Sequence, residues 1–153
     1  MDEAVNLQKS IQLAFASMEV FEGQPCLSRS SDLEVESINR LLARQTWRSV
    51  VVSFPGDWEK IDPHGLVAMI SDDALVFFLP ALILIGFEGS WRSKAVLDAL
   101  LFRLRDLDKR NRLGALAITE AQMKSLFSAL RYLFRGDPVS THTLDKVIKG
   151  TVF

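Results

Sequence analysis

Few side chains in this sequence have the types and spacing that chemistry needs. His64, His142 and the single cysteine, Cys26, are the obvious ligands, bases or nucleophiles, and they stand far apart. A zinc centre requires three or four converging donors, and the chain offers neither HExxH nor CxxC to supply them. Both histidines are therefore read as surface or capping residues, with no metal and no cofactor expected. Asp72 and Asp73 are neighbours, but consecutive helical residues point about 100° apart. Such a pair suits the positive end of a helix dipole better than a shared acid–base site. Cys26 has no base placed beside it in sequence and reads as an inert thiol. No GxxxxGK[ST], GxGxxG or GxSxG occurs, so nucleotide binding and α/β-hydrolase chemistry have no motif to rest on. The remaining enzymatic reading is an unmotified hydrolase or transferase site around Asp62 and His64.

Two dipeptides suit recognition better than catalysis. Trp47-Arg48 and Trp91-Arg92 each join an amphipathic ring to a guanidinium, a combination enriched at interface hot spots. The competing reading puts the rings at the rim of the core and the arginines on helix ends or nearby acids. Charge is also unevenly spread. Asp57, Glu59, Asp62, Asp72 and Asp73 make one stretch acidic, while Arg92 to Arg112 is rich in arginine and lysine. Asp57, Trp58, Glu59, Asp62 and Asp72 are the expected partner-binding residues, by electrostatic complementarity to a basic surface.

The elements that would position these residues are helical. From Ala74 to Phe87 no side chain is charged or forms hydrogen bonds, and the apolar residues show no period. A helix apolar on every side is central in a core or in a membrane. Ser71 caps it, Asp72 and Asp73 occupy its first turn, and Pro80 is expected to kink it. At about 24 Å it falls short of the roughly 30 Å of a bilayer core, so no membrane span is expected. Around it, apolar stripes at helical spacing predict a helix from Glu3 to Val20 and a second capped by Ser31 or Asp32. A short one follows Asp62-Pro63, and another, capped by Ser90 or Ser93, runs to about Leu107. The next is opened by the Thr119–Gln122 capping box, and a last one ends before Gly150. Val50-Val51-Val52 and Phe54 are β-branched or aromatic and suggest one short strand or, since no second convincing strand exists to pair with it, an extended crossing segment. The fold class expected is all-α: a single-domain helical bundle, 1–153, around a central, Pro-kinked apolar helix at 71–87, with a possible strand near 50–54.

A chain of 153 residues that is 48% hydrophobic can bury a sizeable core. Its net charge of −1 gives no field for nucleic acid. One cysteine suits a reducing compartment, and the acidic, amphipathic start lacks the basic and apolar regions of a signal peptide. A cytoplasmic protein is expected.

Three phrases together resemble a family of small bacterial proteins classed only as a domain of unknown function. They are Trp47-Arg48, then Phe77-Phe78-Leu79-Pro80-Ala81 after Ser71-Asp72-Asp73-Ala74, then Thr119-Glu120-x-Gln122. The likeness runs from about Ile11 to Leu133, with Phe77-Phe78 where the family usually has tyrosines. The resemblance implies an all-helical cytoplasmic protein with no established activity. By analogy, small proteins of this sort act as immunity or accessory partners of bacterial toxins. The leading expectation is thus a non-enzymatic protein that binds and occludes a toxin or effector encoded by an adjacent gene. The alternatives are the hydrolase or transferase site near His64, and a structural, self-associating protein.

Overall fold

The computed structural model describes residues 2–26 and 33–151; the proposed caps Ser31 and Asp32 lie outside them. Among the described residues the chain forms eight α-helices and no sheet: α1 (Glu3–Ala14), α2 (Leu33–Leu42), α3 (Trp47–Ser53), α4 (Pro63–Met69), α5 (Asp72–Gly86), α6 (Trp91–Lys109), α7 (Glu120–Leu133) and α8 (Pro138–Gly150). Single 3-10 turns at Gly56–Trp58 and Leu113–Ala115 join α3 to α4 and α6 to α7.

The centre is α5. Leu75, Leu79, Leu82 and Ile83 are each no more than 1% exposed, and α1, α3, α6 and α7 all pack against it. Its start follows from sequence: Ser71 accepts from the Ala74 amide at 3.0 Å, and Asp72 and Asp73 occupy the first turn. Gly86 lets α6 approach, because a Cβ there would lie 2.5 Å from a Leu97 methyl. Phe21 comes in from the loop after α1 and joins Phe77 and Phe78 in a cluster with centroids 4.9–5.6 Å apart. No helix among the described residues is long and apolar enough to cross a membrane.

Two expectations are corrected. Residues 50–54 are not a strand. Val50 to Ser53 belong to α3, opened by Thr46, whose hydroxyl accepts from the Ser49 amide. An isolated strand would leave its backbone groups unpaired, whereas a helix pairs them internally. Burial follows: Val50 is 1% exposed and Val52 84%, the two sides of a helix end. The first helix stops at Ala14 instead of Val20. The freed carbonyls of Ala14 and Phe15 accept from the Gln122 amide at 3.1 Å and the Trp47 indole at 2.9 Å, so α7 and α3 cap it from outside. Met18, inside the expected helix but beyond its observed end, is 69% exposed.

Candidate functional site

Between α3 and α4 the chain makes a short ledge. Trp58 is 1% exposed; its indole donates to Ser53 Oγ at 3.1 Å and meets the Phe54 ring edge-on. From the other side, Arg92 of α6 donates to the carbonyls of Trp58 at 2.9 Å and Glu59 at 2.8 Å. The ledge is therefore held from within by a buried ring and from outside by a guanidinium. Asp57 and Glu59 are exposed, line an open groove of about 650 Å³ against α2 and α3, and form no ion pair among the described residues. Asp62 is exposed as well, and its carboxylate caps α4 by accepting from the His64 amide at 3.2 Å.

Of the five expected contact residues, three thus present a carboxylate at or beside the ledge. The other two do different work. Trp58 is a core residue with no face left for a partner. Asp72 is a clamp: Arg103 donates to its Oδ1 at 2.8 Å and Arg112 to its Oδ2. Arg103 also donates to the carbonyls of Val67 at 2.6 Å and Ile70 at 3.1 Å, satisfying the C-terminal end of α4. One arginine from α6 so fastens the junction of α4 and α5. The signal for this was absent from sequence, because the partners stand more than thirty residues apart.

The basic stretch is likewise spent internally. Arg105 pairs with Asp108 at 2.6 Å and Arg110 with Asp106 at 3.1 Å, while Lys94 lies 3.7 Å from Asp98 and 3.8 Å from Asp137. The basic stretch is therefore largely closed by ion pairs, whereas of the acidic stretch only Asp72 is paired among the described residues; Asp57, Glu59, Asp62 and Asp73 are exposed, with Arg40 and Lys60 lining the groove beside the first two.

A second groove, of about 890 Å³, runs between α6 and the start of α4 and α5. His64, Ala68, Ala99, Phe102 and Leu107 line it together with the Asp72–Arg103–Arg112 cluster. His64 sits exposed at its rim. Asp62 engages the His64 backbone, so the two side chains do not form a carboxylate–imidazole pair. Among the described residues no three His, Cys, Asp or Glu side chains converge as metal ligands would. Cys26 is buried; desolvation, and then the nearby Glu34 carboxylate, push its thiol above the ordinary value, which disfavours the reactive thiolate.

Fold and surface together define, among the described residues, an all-α bundle whose acidic ledge is tied down by Trp58 and Arg92. The chain matches no family model, and no curated protein and no solved structure shows significant similarity to it.

Proposed function

We propose that this chain is a non-enzymatic binding protein of the immunity or accessory kind, which covers a basic surface of a bacterial toxin or effector in the cytoplasm. The observation that carries the reading is the ledge: Asp57, Glu59 and Asp62 present exposed carboxylates from backbone fixed by Trp58 and Arg92. Carboxylates on a pre-ordered backbone lose little further entropy on binding, and they speed encounter with a basic partner. Trp58 and Asp72 serve this surface from behind, one as its anchor and one as the clamp beneath the neighbouring helices. The likeness of the Trp-Arg, Leu-Pro-Ala and Thr-Glu-x-Gln phrases to the small bacterial family supports the same reading. An enzymatic site at His64 has less to rest on, because Asp62 meets the His64 backbone amide and not its ring.

The test is co-expression with the product of the adjacent gene, followed by association kinetics at several salt concentrations. The complex should form and silence that product's activity. The triple variant D57K/E59K/D62K should slow association by about tenfold or more and flatten its salt dependence. Unchanged association in the triple variant, or an adjacent product without toxic or effector activity, would sink the proposal.

A further inference from the structure

The outer face of α6 carries two large apolar side chains that the fold leaves in solvent. Trp91 is 72% exposed and Phe102 75% exposed. They stand three turns apart, about 16 Å, on the same side of the helix. Between them that side holds only Ala95 and Asp98, with Lys94 on one flank and Ala99 on the other. Phe102 and Ala99 border the larger groove. The Trp91 ring lies against the Arg92 guanidinium at 4.7 Å, and Arg92 is itself tied to the ledge, so the ring is held in place. A fixed aromatic knob and an open groove thus sit at opposite ends of one helix face, with small residues between.

We infer that this face is a homodimer interface in which α6 packs antiparallel against α6 of a second copy, on a two-fold axis between Ala95 and Asp98. The pattern is self-complementary in that arrangement, as an isologous contact demands. Trp91 of each copy meets Phe102 of the other and enters the groove beside it. Ala95, half-buried on that side, lets the helix axes approach closely, while Ala99 is buried in its own copy. Charge selects the second copy as occupant: Lys94, 59% exposed, falls beside Asp98 of the other copy, 43% exposed, and the pair forms twice. Lys94 already lies 3.7 Å from Asp98 one turn away on its own helix and 3.8 Å from Asp137, so the interface joins these loose pairs of the two copies into one alternating cluster. The inference does not rest on the partner-binding role proposed for the ledge carboxylates.

Sedimentation velocity on the full chain, from about 1 to about 100 µM, should show a monomer–dimer equilibrium. W91A and F102A should each weaken it by about tenfold or more, with helical content, and melting at the lowest measurable concentration, unchanged. Charge exchange then tests the register. D98K alone sets a lysine at each end of the cross-copy pair, and K94D alone sets an aspartate at each end, so each homodimer should weaken. In a heterodimer of the two variants, one of the two cross-copy pairs joins the lysines that D98K carries at both positions to the aspartates that K94D carries at both, and so does the other. Both pairs are then attractive, and mixing the variants should recover the dimer. A wild type that stays monomeric throughout overturns the inference, as does dimerisation indifferent to W91A and F102A. Loss of dimer in both charge variants without recovery on mixing overturns the two-fold register.

Discussion

Trp47-Arg48 and Trp91-Arg92 are the same dipeptide in the same local setting, put to opposite uses. Each tryptophan opens a helix, each follows a hydroxyl cap (Thr46 or Ser90), and each ring lies under the next arginine, at 4.4 and 4.7 Å. Yet Trp47 is 3% exposed with its indole bonded to Phe15, while Trp91 is 72% exposed. The arginines are reversed. Arg48 reaches the exposed loop after α1, at the Ser17 carbonyl (3.4 Å) and the Met18 sulfur (2.7 Å), whereas Arg92 fixes the backbone of Trp58 and Glu59. Local sequence sets the cap and the ring–guanidinium contact. What lies across from the helix end decides which member becomes structural: α3 starts against the end of α1, and α6 starts beside the ledge.

Substitutions should separate the two pairs sharply. W47A leaves a cavity and an unsatisfied Phe15 carbonyl, and should lower the free energy of unfolding by about 3–5 kcal/mol in urea titrations. A loss below about 1 kcal/mol would mean that Trp47 is no more structural than Trp91. The arginines should show the opposite order. R92A should cost about 1–2 kcal/mol, because two carbonyls lose a charged donor, and R48A should stay within about 0.5 kcal/mol of wild type. Faster hydrogen exchange at residues 57–62 in R92A, and not in R48A, would locate that loss in the ledge.

The caps offer the control that holds the comparison together. Thr46 accepts from the Ser49 amide at 3.0 Å and Ser90 from the Ser93 amide at 3.2 Å, so the two do the same local job. T46A and S90A should each cost about 1 kcal/mol by chemical denaturation. Markedly unequal losses would show that the two helix starts differ locally, and that the fate of the rings was set there and not by their surroundings.

What was legible in sequence follows the same division. Interactions within four residues could be read: the Ser71, Ser90 and Asp62-Pro63 starts, the Thr119–Gln122 capping box, and the unbroken apolar run of α5 all appear as expected. Interactions across the fold could not. The β-branched run at Val50 to Val52, read as strand or extended segment, is helical in α3, where burial of Val50 overrides its β-propensity. Asp72 looked like a free surface carboxylate until α6 brought Arg103 to it. Trp58 sat in an acidic stretch and read as surface, though its ring is core. At the candidate site, the acidic stretch is visible in sequence, but sequence could not separate the carboxylates that face outward from the residues that hold them.

The smallest expected effect bears most directly on why Trp91 is there. At the lowest measurable concentration, where self-association adds nothing to apparent stability, W91A should unfold within about 0.5 kcal/mol of wild type. The ring buries little on its own copy, alanine is the better helix former at that position, and the contact with Arg92 is exposed. Raising the protein concentration should then stabilise wild type and leave W91A where it was, because a dimer adds its binding energy to the folded state only when it forms. A large loss at low concentration would instead place Trp91 with Trp47, as a ring needed by its own fold. A concentration response shared by both chains would move self-association to some other face.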